Sequence, residues 1–595
     1  MRFSELAASF NEIDQTASRN EMTAMLADLF KRATPEELEK IAYLSLGRLA
    51  PLYEPIEFGM ADKSVILALA RVFNKSAGDL TVELKRVGDV GVLAGSLANP
   101  RNRFGLSVLE VFERLYSLAM ESGVGSVERK SMILADLIKE ADGISAKFLA
   151  KIPTGKMRLG FSDMTVLDAL SVMETGDKSI KKQLESFYNL GPDLGRIAKV
   201  FKQKGLRGLS SNGISVGTPV MMARCERLND AGEILDKTGG VVALEPKYDG
   251  FRLQVHLDRR GSLLTRDRNG EVVSSQVKLF TRNLEDVTFM YPDIVEGTLA
   301  EVKADRAIFE GEALAYEEST GEFRPFQETV QRKRKHGIDQ KVLEIPLRLF
   351  VFEFLFADGT SLINESYQAR REVMRKSFNH GGTVVLSEEV VARTEKEIND
   401  YFAKEIERGL EGIVAKKLDG VYQAGARGWN WIKFKRGFSG KSLTDTIDCV
   451  VLGYDFGSGK RTKFGIGDFL VGVYDDENDC FTTIAKIGTG LTDEEWVSIR
   501  KSLDEIRVTG QPKNVTAKKL AEVDVWADPK IIVVIKADEI TRSPMHTTAE
   551  TDGLGLALRF PRLVEFGRKD KKPTDATTVR EIVSMYNGQK KQKAR

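Results

Sequence analysis

A helical first third, a mixed α/β middle and a small C-terminal β-barrel is the architecture the sequence predicts. Apolar residues recur at helical spacing up to about residue 210. From about 220 to 435 period-two segments alternate with helical ones, and beyond 445 short strands follow at close intervals. A chain of 595 residues is also too long for one hydrophobic core, so about three to five domains are expected.

In the first third, "ATPEELEKIAYLSLGRLA" offers Thr34 as N-cap, Pro35 at the first helical position and Glu37 to complete a capping box. "SVERKSMILADLIKEADG" spaces Met132, Leu134 and Leu137 as a helix would and ends in Gly143, and Ser162 opens "SDMTVLDALSVM". No fixed period appears, so a solenoid is not supported. The Ser/Gly/Pro stretch at 209–220 reads as a first linker, and "KRGFSGKSLTD" (435–445) as a second. Between them lie strands such as "AIFEGEALAY" and "RLFVFEFLFADG" and helices such as "EKEINDYFAKEIERG". Beyond 445, "IDCVVLGYDFG", "GDFLVGVYDD", "CFTTIAKIGTG" and "PKIIVVIKAD" are short strands interrupted by one helix, "TDEEWVSIRKSLDEIR". That pattern suits a small closed barrel such as an OB-fold. The expected domains are 1–215, 216–440 and 441–595, the last with a basic tail, "NGQKKQKAR", that reads as solvated.

Composition narrows the chemistry. With 42% hydrophobic and 29% charged residues, no large disordered fraction is implied. The net charge of +1 means that a polyanion would be met by local patches. Three scattered cysteines form no CxxC pair, which fits a reducing compartment and excludes a four-cysteine zinc site. Four histidines (His256, His336, His380, His546) include no HExxH. The N-terminus carries acids early, unlike a signal peptide, and "SVILALARVF" is about half a membrane span and contains Arg71. A cytosolic location is expected. No P-loop is present, because the glycine needed at 435 is Lys435 and Lys460 lacks a following Ser or Thr.

One short stretch raises a different chemistry. In "VVALEPKYDGFRLQVHLD" (241–258), two alternating strands flank Lys247-Tyr248-Asp249-Gly250. Alone, this reads equally as a hairpin with a solvated lysine. Downstream come Arg252, Arg282, Glu312, Phe352, Glu411, Lys416, Arg427, Trp431, Lys433 and Lys435. Period two in "NWIKFK" puts Trp431, Lys433 and Lys435 on one face and Ile432 and Phe434 on the other. Two ammonium groups beside an indole are costly to bury without an anion, so a phosphate suits that face, though an exposed basic strand would look the same. In "EGIVAKK", Ile413 and Ala415 share one face and Val414 and Lys416 the other. Glu411 with Lys416 could be a surface ion pair, and Phe352 a core residue.

Taken in order, KYDGFR, FTRNLED, FEGE, FVFEF, EGIVAK and RGWNWIKFK resemble the motifs of the ATP-dependent DNA ligases, within the covalent nucleotidyltransferase superfamily. "LRFPRLVEFGRKDKKPTDATT" (558–578) resembles that family's last motif, with Arg568, Asp570 and Lys571 in its R-x-D-K positions. The resemblance spans nearly the whole chain and is nearest the archaeal replicative type. It implies an all-α N-terminal DNA-binding domain, an α+β nucleotidyltransferase core (ATP-grasp-like) and a C-terminal OB-fold. The implied activity is nick sealing in replication, repair and recombination, through AMP carried on Lys247. By the same resemblance, Glu245 meets the adenine edge and Phe352 stacks on the purine. Arg252, Arg282, Arg427, Lys416 and Lys433 meet phosphates and ribose, with Trp431 behind them. Glu312 lies near the ribose and, with Glu411, holds a metal ion, Mg²⁺ or Mn²⁺. Arg568, Asp570 and Lys571 orient pyrophosphate, and Gly437 and Gly440 in the second linker serve as a hinge. Nicked double-stranded DNA is the implied partner, with no membrane contact, for a monomer expected in the nucleoid of a prokaryotic or archaeal cell. A sliding clamp is a further family partner, but "SLANPRNRFGLSVLE" (96–110) has Phe104 without the expected peptide. An RNA-capping guanylyltransferase shares the lysine tetrad but does not call for the helical first third. An NAD-dependent ligase would need zinc cysteines, and a non-catalytic nick clamp a broken motif.

If three domains share the phosphate contacts, the affinity for nicked duplex should fall linearly on a log–log plot against salt, with slope about −0.9 per phosphate contacted. A flat salt dependence in a fluorescence-anisotropy titration would contradict DNA binding of this kind.

Overall fold

Thr34 caps the helix Pro35–Leu44 as its sequence predicts. Its hydroxyl accepts the Glu37 N–H, and the Glu37 carboxylate accepts the Thr34 N–H in return. The computed structural model describes the chain except for residues 17, 158, 211–212, 229, 262, 269, 318–321, 325–327, 330, 335–336, 380, 436–445, 490, 569–570 and 594–595. Among the described residues, twelve α-helices run from Phe3–Gln15 to Leu194–Leu209. Two details differ from the sequence reading. The helix Ser126–Lys139 buries Leu134 and Leu137 but leaves Met132 38% exposed, because its inward stripe runs through Ser131, Leu134, Ala135 and Ile138. Gly143 opens the next helix, Gly143–Lys151, instead of closing this one, since Asp142 is the stronger signal: its carboxylate accepts the N–H groups of Ile144 and Ser145 at 3.0 and 2.9 Å. Phe104 packs edge-on against Phe3 in this helical region and is buried.

The chain divides into two compact units, Met1–Phe73 with Ala94–Arg436, and Asn74–Leu93 with Gly437–Arg595. The expected second linker and its hinge glycines, Gly437 and Gly440, lie outside the described residues.

Fourteen strands build the middle of the first unit: β1 (Arg224–Leu228), β2 (Val242–Lys247), β3 (Phe251–Asp258), β4 (Leu263–Arg266), β5 (Val272–Ser275), β6 (Val277–Thr281), β7 (Arg306–Glu317), β8 (Glu322–Phe323), β9 (Leu347–Ala357), β10 (Thr360–Ser361), β11 (Val384–Leu386), β12 (Val390–Ala392), β13 (Gly412–Lys417) and β14 (Arg427–Lys435). They form a five-stranded sheet, β1-β14-β13-β2-β12, and a seven-stranded sheet, β10-β9-β7-β3-β6, with β11 on β9 and β8 on β7. The long insertion at 258–278 is the β4–β5 hairpin. Helices Ala231–Thr238 and Glu395–Glu407 cover the outer face of the first sheet through Ile234, Ile398, Ile413, Ala415, Ile432 and Phe434. The second sheet buries Leu253, Val255, Phe309 and Leu349 with Ile294 and Met374 of its covering helices. Ile308 and Leu355 of one sheet meet Trp431 of the other, so the two sheets face each other.

β2 and β3 are therefore not a hairpin. β2 pairs with β13 and β12, while β3 pairs with β6 and β7. The four residues Lys247-Tyr248-Asp249-Gly250 carry the chain from one sheet into the other. Gly250 is required there, because a Cβ would sit 2.3 Å from the Ala313 carbonyl oxygen and 2.8 Å from Leu314 Cγ.

In the second unit, β15 (Ile447–Asp455), β16 (Asp468–Asp475) and β17 (Cys480–Ile487) lie at the centre of an eight-stranded sheet. Glu539–Ser543, Thr548–Thr551 and Leu554–Arg559 form a separate three-stranded one, so the strands do not make one continuous ladder. Register breaks at Val451/Gly453 and Val471/Gly472 curve the larger sheet. The helix Asp493–Asp504 closes its core with Trp496, Ile499 and Leu503. Among the described residues no helix is long and apolar enough to cross a membrane.

Gly250→Ala is expected to destabilise the protein by about 1–3 kcal/mol, the usual cost of overpacking, and to lower the first unit's thermal midpoint in calorimetry. An unchanged midpoint would mean that the crossing has room to spare.

Candidate active site

Because Lys247 is the last residue of β2, it stands where the chain leaves the five-stranded sheet. A cavity of about 480 Å³ opens in the cleft between the sheets. The first sheet lines it with Glu245, Lys247, Lys416, Trp431, Lys433 and Lys435, and the second with Arg252, Glu312 and Phe352. Arg282 and Arg427 stand exposed on its wall. All ten residues expected to carry or contact the nucleotide thus face one cavity. Period two explains β14: Trp431, Lys433 and Lys435 point into the cleft while Ile432 and Phe434 lie in the core behind the sheet.

One end of the cavity is aromatic, with a buried ion pair beside it. Phe352 and Trp431 meet edge-to-face, with centroids 6.0 Å apart. Lys416, 1% exposed, donates to the Phe352 carbonyl at 2.6 Å and pairs with Glu245 at 2.9 Å. Glu245 also accepts the Tyr367 hydroxyl at 2.6 Å and lies 3.4 Å from an Arg371 nitrogen. Lys416 therefore sits with Glu245 and Phe352, the residues expected at the base, and apart from the exposed cations expected at phosphates.

The other end is crowded with positive charge. Lys247 and Lys435 both pair with the Glu411 carboxylate. Glu411, expected as a metal ligand, is in this state the counter-ion of two ammonium groups. Burial, with Lys247 and Arg227 adding to it, pushes Lys435 down to about 8. Lys433 is also pushed down, by burial first and then by Arg427, Lys247 and Arg227. Burial pushes the Glu312 carboxyl up to about 7, with Asp249 adding to it and Lys247 and Arg252 opposing. The two lysine shifts record positive charge with too little solvent around it, the condition that an incoming polyanion relieves, whereas the Glu312 shift records a carboxylate short of solvent.

Arg252 donates to the Ala223 carbonyl at 2.8 Å, pairs with Glu310, and lies over the rings of Phe352 and Trp431. Arg568 and Lys571 belong to the second unit, where both bind Asp448 of β15, at 3.2 and 2.6 Å. Asp570 lies outside the described residues. Sequence reasoning passed over Tyr367, Arg371, Glu310, Tyr422 and Lys333. Lys333 lines the cavity and pairs with Glu285. Of these only Glu310, inside FEGE, had a local signal; the others come from a helix, a loop and a turn that fold back from elsewhere.

Three family models match the chain in order. "DNA ligase N terminus" covers residues 2–171, "ATP dependent DNA ligase domain" 221–435 and "ATP dependent DNA ligase C terminal region" 462–571. A "Probable DNA ligase" of Dictyoglomus turgidum is 48% identical over 594 residues, covering 100% of this chain and 99% of that one. The chain belongs to the ATP-dependent DNA ligase family. "DNA ligase 2" of Thermofilum pendens is 38% identical over 607 residues, covering 99% of this chain and 98% of that protein. A solved structure titled "Pmar-Lig_Pre." shares the fold, with a TM-score of 0.55 at 15% identity over 94% of this chain and 98% of that one. The enzyme class is DNA ligase (ATP), EC 6.5.1.1, and the cavity lies wholly within the segment matched by the ATP-dependent ligase domain.

Competitive acetylation of the lysines against pH, read by peptide mass spectrometry, should place the Lys435 midpoint near 8, against about 10.4 for an ordinary lysine. The folded chain holds this proton less tightly than the unfolded one, so the group adds stability as pH rises through that window and removes it below. A midpoint near 10 would contradict the crowding described here.

Proposed function

We propose that this ligase seals nicks in duplex DNA in three steps and carries AMP on Lys247 between the first and second. The observation that supports it most is the position of Lys247 at the crossing between sheets, with its ammonium group in a cation-rich cavity that has an aromatic pair at the other end. In the first step the Lys247 Nζ lone pair attacks the α-phosphorus of ATP. The bond to pyrophosphate breaks, the amine loses a proton, and a phosphoramide to AMP remains. A lysine attacks only as the neutral amine, and on this face burial, with the neighbouring cations adding to it, weakens the hold of Lys433 and Lys435 on their protons. In the second step an oxygen of the nick's 5′-phosphate displaces the lysine and takes the AMP. In the third the 3′-hydroxyl attacks that phosphate, AMP leaves, and the strand is closed.

The purine stacks on Phe352, with Trp431 behind and Glu245 at the base edge. Arg252, Arg282, Arg427 and Lys433 contact the ribose and phosphates, while Lys416 holds Glu245 and the Phe352 main chain at the base end. Arg568, Asp570 and Lys571 orient pyrophosphate during the first step. The helical region 1–215 and an OB-fold over 441–595 flank the catalytic core 216–440 and grip the duplex, spreading phosphate contacts over three surfaces of a chain with near-zero net charge. Replication, repair and recombination are the settings in which such nicks arise.

Mg²⁺ or Mn²⁺ fits this donor set. The described residues contain no cluster of three metal-binding side chains, but Glu312 and Glu411 can supply carboxylates and the nucleotide the remaining oxygens, the usual arrangement for Mg²⁺. When bound, the ion neutralises phosphate charge. To hold the ion, Glu312, its carboxyl pushed up to about 7 by burial, would give up its proton, and Glu411 would part from the two lysines.

Incubating the purified protein with ATP and Mg²⁺ should add the mass of one AMP, and Lys247→Ala should abolish the adduct and all nick sealing. An adduct on another residue, or labelling by GTP in preference to ATP, would overturn this function.

A further inference from the structure

Two of the three nitrogens of the Arg252 guanidinium are committed within the protein. Nη1 donates to the Ala223 carbonyl at 2.8 Å and Nη2 to the Glu310 carboxylate. Nε is buried and has no hydrogen-bond partner among the described residues, and the side chain lines the cavity over Phe352 and Trp431.

Both anchors converge on one further group. Glu310 is wholly buried, and besides Arg252 it accepts from Gln254 Nε2 at 2.9 Å and from the Tyr422 hydroxyl at 3.0 Å. The same hydroxyl accepts the Ala223 N–H at 2.9 Å. Tyr422 thus ties the carboxylate that holds Nη2 to the residue whose carbonyl holds Nη1. It lies on the connection between β13 and β14, 3% exposed, with its ring edge-on to Trp431 at 5.8 Å. Gln254 is fixed independently, exchanging bonds with the Val220 main chain at 2.8 and 3.0 Å and meeting His256 at 3.0 Å. Burial and Glu310 push the Tyr422 hydroxyl well above its usual range, so it keeps the proton that it donates.

We propose that Tyr422 is a positioning residue of the nucleotide site: by joining Glu310 to the Ala223 peptide it holds the Arg252 guanidinium over the aromatic pair, with Nε–H left for the ribose–phosphate part of ATP. This rests on the nucleotide-binding function proposed above. Without the hydroxyl, the Ala223 N–H is orphaned and the Glu310 carboxylate keeps only Gln254 and Arg252 as partners, so both anchors loosen together. The guanidinium then pays, on each binding event, the ordering cost that the native network has already met in folding.

Single-turnover formation of the AMP adduct across ATP concentrations, in the full-length protein, tests this with Tyr422→Phe, Arg252→Lys and the double variant. Tyr422→Phe should raise the half-saturating ATP concentration roughly tenfold, the scale of a hydrogen bond to a charged group, with a smaller change in the maximal rate. In the Arg252→Lys background the same substitution should add less than about twofold, because the hydroxyl acts through the guanidinium. Unchanged half-saturation in Tyr422→Phe overturns the proposal, as does a full, independent effect in the double variant. A reduced active fraction with normal half-saturation is what a purely structural tyrosine gives, and it counts as refutation too. If Tyr422→Phe does not fold, Glu310→Gln, which keeps the shape, enters the same cycle with the same expectations. A wild type that forms no adduct overturns the function itself, and this proposal with it.

Discussion

The site depends on a single crossing: the chain leaves one sheet at Lys247 and enters the next at Phe251. β3 begins by pairing Phe251 with Ala313, and Gly250 just before it has no room for a Cβ against the Ala313 carbonyl. Ile308 and Leu355 of that sheet meet Trp431 of the other, so the crossing leaves the lysine in the cleft between two facing sheets. Were the same four residues the tip of a hairpin, Lys247 would be solvated and far from any aromatic wall.

The cleft is then held by buried ion pairs that join elements distant in sequence. Glu245 of β2 pairs with Lys416 of β13, Glu310 of β7 with Arg252 of β3, and Glu353 of β9 with Arg370 from the helix Tyr367–Ser377. Arg370 grips Glu353 with two nitrogens, at 2.8 and 2.9 Å, and although burial raises the Glu353 carboxyl, the adjacent guanidinium outweighs it and holds it below the usual range. Such pairs add little net stability over apolar packing, yet losing one partner costs about 3–5 kcal/mol. They specify geometry: Lys416 and Arg252 both end against Phe352 and Trp431 at fixed distances.

The opposite end of the cavity is built on imbalance. One carboxylate, Glu411, serves two ammonium groups, and Lys433 adds a further cation. Charge placed before the ligand arrives needs no reorganisation when it does, and is most effective in a cleft with apolar walls. Burial first, and that excess after it, weakens the hold of Lys433 and Lys435 on their protons.

What the sequence determined by itself is local. Alternation in β14 set Trp431, Lys433 and Lys435 against Ile432 and Phe434, because successive side chains on a strand must point to opposite faces. Thr34 and Glu37 announced a helix start because their bonds close within three residues. The ordered motifs carried the family because they recur as a set. The tertiary structure alone decided which sheet each strand joins, and so that Lys247 faces a cleft and not solvent. It also decided that Arg252 is held by Glu310, Ala223 and Tyr422, that Glu411 bridges two lysines, and that Arg568 and Lys571 rest on Asp448. No window of sequence encodes these, since side-chain direction follows from the covalent backbone, whereas the partner a side chain finds depends on pairings closed across separate strands and loops.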